Sequence, residues 1–197
     1  MSLSAAELAQ AQGSNILLPA GSATIAAGVQ YQTYDRRLAT GTVFAPTSGT
    51  LYLTAIWLPA GTVVNGITFV SSSTGETGGT HLWYAFYKQD LTLMAQATDN
   101  TGATAFAANT AFRMALTAAQ TCPYTGLYYL GFMCAQSAGG TPTLLNIVLP
   151  TNANAVGAIT GMTPILAATS STALAASAPS PAGALTAIVN CLYAFVD

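Results

Sequence analysis

The stretch HLWYAFYKQDLTLMAQATDN, residues 81–100, decides the fold class of this chain. It opens with a run of aromatic and aliphatic residues, passes through the polar triplet Lys88-Gln89-Asp90, and ends with a second apolar run. Successive side chains of a strand point to opposite faces. The first run therefore has two faces, one with His81, Trp83, Ala85 and Tyr87 and the other with Leu82, Tyr84 and Phe86. The pattern predicts a β-hairpin with its turn at residues 88–90.

Short apolar runs of the same kind lie on both sides of this hairpin, and turns rich in Gly, Pro, Asn, Asp and Ser separate them. Their sequences are GTVFA, GTLYLTAIW, TVVNGITFVS, TAFRMALT, GLYYLGFMCAQ and LLNIVL. Runs of β-branched and aromatic residues at this spacing are typical of a β-sandwich or jelly roll. We therefore predict an all-β protein, an antiparallel β-sandwich of jelly-roll type with extended N- and C-terminal arms.

One run, YYLGFMCA at residues 128–135, is apolar at both alternating sets of positions. A strand with two apolar faces belongs in the middle of a sheet whose second face is also covered. We expect such cover here, and a partner subunit is one source of it.

Composition and turn signals divide the chain into four segments. We predict an N-terminal arm with a short helix over residues 1–40, a sandwich core over 41–149, a low-complexity linker over 150–183 and a C-terminal strand over 184–197. Pro179 and Pro181 exclude a helix that continues through the linker. We expect the last strand to return to the sandwich or to join a neighbour's sheet.

Charged residues are scarce. They make up 5% of the chain against 52% hydrophobic residues, and the mean hydropathy is +0.49. An average soluble domain has about 25% charged residues. No charged side chain occurs between Arg113 and Asp197, so this half of the chain has little to keep neighbouring subunits apart. We interpret the composition as that of a protein that assembles.

The same composition argues against several classes of partner. The formal net charge is −2 and no cluster of Lys or Arg occurs, so we predict no nucleic-acid binding. The pair Arg36-Arg37 is better explained as a solvated turn or a subunit contact than as a phosphate site. The apolar runs are shorter than a membrane-spanning helix needs, and residues 1–15 do not resemble a signal peptide. We therefore predict no membrane partner and no export by the Sec route.

The acidic residues and the single histidine give no catalytic pattern. Asp90 and Asp99 bracket the second strand of the hairpin, and an extended strand at about 3.3 Å per residue holds them roughly 30 Å apart. A pair of glycosidase carboxylates lies about 5 to 10 Å apart. Glu76 lies in a loop, and its approach to Asp99 or His81 is the alternative to a purely structural role. We predict no catalytic residues and interpret His81 as a strand-end residue.

No metal or cofactor is predicted either. Cys122, Cys134 and Cys191 are an odd number of cysteines, widely spaced and without a C-x-x-C motif, which argues against both a disulfide framework and a zinc site. Cys134 and Cys191 lie in apolar runs, where a buried, inert thiol is the usual case. Glycine motifs that bind phosphate are absent, because the glycines lie in turns between strands.

Aromatic residues are the remaining candidates for binding. Trp57, Trp83, Tyr84 and Tyr128 are candidate contacts to a glycan or a protein partner, because exposed rings stack on sugars and anchor interfaces. Core packing is the alternative for each of them, and it is the more common use of an aromatic residue in a strand.

Within residues 50–147, WYAFYKQDLTLMAQATD, AFAANTAFRMAL and CPYTGLYYLGFMCA together resemble a pattern in virion proteins of tailed bacteriophages, particularly those of actinobacteria. In those proteins a W-x-A-x-Y hairpin, with LLAQS in its second strand, precedes YTGLYYLGLM. The resemblance lies in the sequences of predicted strands and includes no catalytic motif, so it assigns no functional residue to this chain. The chain also lacks the coiled or collagen-like shaft of longer tail proteins.

The resemblance implies a jelly-roll-like module of a head-decoration, minor tail or fibre protein, often trimeric and without catalytic residues. The first hypothesis is thus a structural virion subunit, assembled in the host cytoplasm, whose partners are other copies of itself in a homotrimer and the major capsid or tail proteins. The alternative is a receptor-binding module of a phage tail that binds glycans of the host surface. An enzyme acting on polysaccharide is a third hypothesis, and it lacks a carboxylate pair.

Overall fold

The computed structural model describes residues 31–101, 106–149, 166–170 and 176–197. These residues form strands and one 3₁₀ turn at Arg36–Leu38, and they contain no α-helix. The strands are β1 Tyr31–Gln32, β2 Thr40–Phe44, β3 Tyr52–Leu58, β4 Val63–Val70, β5 Gly79–Lys88, β6 Leu93–Gln96, β7 Ala111–Thr121, β8 Gly126–Gln136, β9 Leu144–Val148, β10 Ala167–Ser170, β11 Leu185–Ala187, β12 Asn190–Leu192 and β13 Ala194–Val196. The all-β prediction is confirmed.

The strands form three antiparallel sheets. A six-stranded sheet has the order β11-β10-β3-β8-β5-β6, a four-stranded sheet has the order β1-β13-β4-β7, and a three-stranded sheet has the order β12-β9-β2. The main hydrophobic core combines side chains from all three sheets, as in a β-sandwich. An isolated bridge between Ala97 and Leu116 joins the β6 side of the large sheet to β7.

The predicted hairpin is confirmed as β5 and β6, and its two faces divide as expected. Leu82, Tyr84 and Phe86 enter the core between the sheets. Trp83, Ala85 and Tyr87 enter a second apolar cluster on the outer face of the six-stranded sheet. In the turn, the Asp90 Oδ1 atom accepts a hydrogen bond from the Thr92 amide at 2.9 Å, and Leu91 adopts a φ of 69°.

The strand with two apolar faces occupies the predicted position. β8 lies between β3 and β5, and its residues 126–134 are all buried. Residues of the same chain, and not of a partner subunit, cover the outer face of this sheet. We call residues 176–183 the strap, because Ala178 and Ala182 pack against the outer cluster.

Hydrogen bonds hold the strap in place. The Tyr87 hydroxyl donates to the carbonyl oxygen of Pro179 at 3.1 Å. The Gln96 side chain donates to the carbonyl oxygen of Ala176 at 3.1 Å and accepts from the Ala178 amide at 2.6 Å. The described parts of the predicted linker over 150–183 are therefore structured, because they form the strap and strand β10.

The C-terminal segment differs from its prediction. Residues 184–197 were expected to form a single strand, whereas they form β11, β12 and β13, one in each of the three sheets. The pairing partner changes each time, from β10 to β9 to β4. Of the predicted N-terminal arm, the helix lies outside the described residues, and β1 pairs with β13.

Candidate functional site

The four aromatic candidates lie in two very different environments. Trp57 is 59% exposed, whereas Trp83, Tyr84 and Tyr128 are completely buried. The buried residues lie on β5 and β8, the central strands whose two faces are both covered. Three of the four candidates are therefore core residues in the folded chain and cannot stack on a ligand. Trp57 alone among them remains available for contact.

Trp57 lies near the end of β3, on the outer face of the six-stranded sheet. It shares that face with Leu53 and Ala55, which belong to the outer cluster. The Ala55 amide donates to the carbonyl oxygen of Leu166 at 2.9 Å, so Leu166 lies beside β3 next to this face. Leu166 is 41% exposed. The indole and the leucine thus leave apolar surface in contact with solvent beyond the covered part of the sheet.

A second surface is the edge strand β7. It ends the four-stranded sheet, and seven of its eleven residues are exposed. Its only charged side chain is Arg113, which forms a bidentate salt bridge with the Asp197 carboxylate, with hydrogen bonds of 2.7 to 3.1 Å. Charges and bulges are among the features that keep edge strands from pairing with other chains. β7 has a bulge between Ala115 and Gln120, and its one charge, on Arg113, is neutralised by Asp197.

His81 and Asp99 form a hydrogen-bonded pair that sequence reasoning did not predict. The His81 Nδ1 and Asp99 Oδ2 atoms are 2.6 Å apart, and the Leu82 amide donates to Asp99 Oδ1 at 3.1 Å. The pairing of Leu82 with Asn100 brings the two side chains together, and a register shift between Phe86 and Tyr87 keeps this pairing from being predicted by counting outward from the turn. The pair ties the start of β5 to the segment after β6.

A histidine–aspartate pair resembles part of a catalytic triad, so its surroundings matter. A general base of this kind needs a nucleophile within hydrogen-bond reach. In the part of the chain that the structure describes, no hydroxyl or thiol is hydrogen-bonded to His81, and Glu76 is bonded to neither His81 nor Asp99. Asp90 lies in the turn, at the other end of the hairpin from Asp99. The arrangement supports a role in positioning the hairpin.

The three cysteines are free and buried. Burial raises the pKa of the Cys191 thiol to about 11, and it also raises the pKa of Cys122 and Cys134. The Cys191 Sγ atom lies 3.1 Å from the Thr54 hydroxyl oxygen. Across the described segments, no group of three or more His, Cys, Asp or Glu residues is placed to hold a metal ion.

Arg36 and Arg37 lie in the exposed 3₁₀ turn before β2. The Asp35 carboxylate accepts hydrogen bonds from the Arg37 amide at 2.9 Å and from its Nε atom at 3.0 to 3.1 Å. The basic pair therefore forms part of a solvated turn, as expected.

Comparison with protein-family models gave no match, and comparison with curated proteins gave no significant match. Within the described ranges, no helix has both the length and the apolar character needed to cross a membrane. In the described part of the chain, the exposed end of β3 at Trp57 and the edge of β7 are candidates for contact with other molecules.

Proposed function

We propose that this chain is a non-enzymatic structural protein of a bacteriophage virion, either a capsid-decoration protein or a tail-associated subunit. In this proposal the sandwich is of the jelly-roll type, the terminal arms contact neighbouring subunits, and the protein is a homotrimer bound to the capsid or tail lattice. Its location is the virion, assembled in the host cytoplasm. The sequence resemblance over residues 50–147 supports the proposal.

The observation that carries the proposal is the edge of β7. On the side away from β4, residues 111–115 of this strand offer backbone amides and carbonyls for pairing with another chain, whereas residues 116–119 form a bulge and Leu116 is bridged to Ala97. Charge is one feature that keeps such an edge from pairing, and the single charge here is bound to Asp197. An edge of this kind is suited to strand addition in an assembly.

The scarcity of charge supports the same proposal. The chain has four Lys and Arg residues and six acidic residues, and the charges of Arg37 and Arg113 are paired internally, with Asp35 and Asp197. Few charges therefore remain to repel a neighbouring subunit. Interfaces with little charge in their centre are typical of stable assemblies.

The first test measures copies of the chain per purified virion by quantitative mass spectrometry, relative to the major capsid protein. A ratio on the scale of the capsid protein is expected for a head-decoration protein, and a few copies per particle for a tail subunit. Absence from purified particles would exclude both forms of the proposal.

The second test addresses the edge of β7. Ala115→Lys places a positive charge at an exposed position on the regularly paired part of this edge, and we expect incorporation into virions to fall about tenfold or more. Gln89→Lys adds the same charge at the exposed hairpin turn and should leave incorporation unchanged. Equal incorporation of the two variants, at the wild-type level, would refute a role for this edge. Deletion of residues 1–20 tests the N-terminal arm in the same assay.

Deletion of residues 184–197 is not a clean test of the C-terminal arm. The segment supplies a strand to every sheet, so its loss is expected to unfold the protein before it affects assembly.

A second candidate function is binding to glycans of the host surface, and the exposure of Trp57 favours it. An indole that is 59% exposed beside an apolar surface can stack on the apolar face of a sugar ring. Trp57→Ala should abolish cell binding while leaving the thermal transition within about 2 °C of wild type, and Val148→Ala, at another exposed apolar position, should change neither. Retained cell binding by Trp57→Ala would exclude this function for Trp57.

A further inference from the structure

Three loops meet beside the core, and Glu76 lies at their junction. The Glu76 amide donates to the carbonyl oxygen of Phe106 at 2.7 Å, and the Thr77 amide donates to that of Gly140 at 3.0 Å. The loop between β4 and β5 is thereby bound to the loop before β7 and to the loop after β8. We call this contact region the loop junction.

The Glu76 side chain points inward, and its carboxyl group is poorly satisfied. The residue is 6% exposed. The Oε2 atom accepts a long hydrogen bond from the Phe106 amide at 3.5 Å, and the Oε1 atom has no hydrogen-bond partner in the described structure. A Cβ atom at Gly79 would lie 2.6 Å from Oε1, so glycine at that position makes room for the carboxyl group.

The groups that face Glu76 offer no positive charge. Tyr84 on β5 and Cys134 on β8 are close enough for the Glu76 charge to raise their pKa, and Gln136 on β8 is uncharged. The described loop segments 71–78, 106–110 and 137–143 contain no Lys, Arg or His. His81 points to the opposite face of β5 from Tyr84 and is paired with Asp99.

These surroundings favour the neutral acid. A buried carboxylate without a cation loses hydration that uncharged hydrogen-bond donors replace only in part. Burial accordingly raises the pKa of Glu76, and the Phe106 amide and the Gln136 side chain oppose that shift in part. Burial also raises the pKa of Tyr84 and Cys134, so both neighbours stay neutral while Glu76 titrates.

We propose that Glu76 is a proton-controlled latch of the loop junction: the buried neutral acid keeps the three loops together, and loss of its proton favours their opening. The proposal is independent of the virion role and concerns a conformational response to pH.

The direction of the effect follows from linkage. The closed form binds the proton more tightly than a solvated glutamate, whose pKa is 4.5. Stabilisation of the closed form is complete below that value and is lost as the pH rises through the pKa of the folded state. One proton changes the opening equilibrium by at most about tenfold per pH unit.

Hydrogen exchange of the Glu76 and Thr77 amides tests the latch. Protection factors, which remove the intrinsic pH dependence of exchange, should fall in the wild type by up to about tenfold per pH unit above pH 4.5 and then level off. In Glu76→Gln, which keeps the shape without the charge, they should be independent of pH. Asp90→Asn, which removes an exposed carboxylate in the hairpin turn, should keep the wild-type profile. The same profile in the wild type and Glu76→Gln would overturn the proposal.

A measurement on the wild type alone keeps the test valid if Glu76→Gln does not fold. The carboxyl carbon of Glu76, followed by NMR across the pH range, should titrate with a midpoint above 4.5. A midpoint at or below 4.5 would overturn the latch without bearing on the virion proposal.

Discussion

Phe69 is the residue through which the sheets of the sandwich can be tested most directly. It lies on β4 of the four-stranded sheet and is fully buried. Its ring centroid is 4.8 Å from that of Tyr84 and 5.3 Å from that of Phe132, both on the six-stranded sheet, and both contacts are edge-to-face. The substitution Phe69→Leu keeps an apolar side chain and removes the two ring contacts.

The expected cost follows from this geometry. Each edge-to-face pair contributes about 0.5 to 1.5 kcal/mol beyond the burial of area, so two pairs contribute about 2 kcal/mol. The space left by the smaller side chain adds to that cost, since a packed core relaxes only in part. For a domain of this size, about 2 kcal/mol lowers the thermal midpoint by about 4 to 8 °C.

Phe112→Leu is the matched control. Phe112 lies on β7, is half-buried at the margin of the same core, and makes one ring contact, with Phe106 at 5.2 Å. Its replacement should cost less than about 1 kcal/mol. Urea denaturation followed by circular dichroism measures both variants against the wild type. If Phe69→Leu costs no more than Phe112→Leu, the aromatic contacts between the sheets do not contribute the expected stability to the sandwich.

Two further predictions follow from burial. Burial shields Cys122, Cys134 and Cys191 and raises the pKa of each thiol. A thiol reagent at pH 8 should therefore leave all three unlabelled in the folded protein within the time that labels them in denaturant. Rapid labelling without denaturant would contradict the buried positions. Acrylamide should quench the fluorescence of the exposed Trp57 and spare that of the buried Trp83. The variant Trp57→Phe should therefore show a blue-shifted emission that resists quenching. If the emission of this variant is quenched as strongly as that of the wild type, Trp83 lies at the surface.

The strands of residues 41–149 could be predicted from the sequence because their signals are local. Eight apolar runs bounded by turn residues correspond to β2–β9. Alternation along β5 also predicted which side chains share a face. Each of these features depends on the residues of one run and on the turn beside it.

The strands after Leu149 could not be predicted in the same way. β10 has the sequence AATS, which has little β-propensity, and it is stabilised by pairing with β3 and β11. Residues 184–197 look like one continuous strand, but pairing with three different sheets divides them. These outcomes depend on partners far away in the sequence, and no local pattern contains them.

The candidate site was predicted in part for the same reason. Trp57 and Trp83 have similar sequence surroundings, each within an aromatic or aliphatic strand. Their exposure differs because β5 is central in the sheet and covered on both faces, whereas Trp57 lies near the end of β3. The burial of Glu76 could not be predicted from the sequence either, because it results from three loops that meet only in the folded chain.

The strap limits how this protein can assemble. Ala178 and Ala182 occupy the outer face of the six-stranded sheet, and the opposite face of that sheet packs into the core. A partner therefore cannot use the middle of this sheet without displacing the strap from the Tyr87 hydroxyl and the Gln96 side chain. Contacts through the edge of β7 or the exposed end of β3 need no such rearrangement. This difference is why Ala115→Lys and Trp57→Ala, rather than substitutions on the sheet faces, separate the two proposed functions.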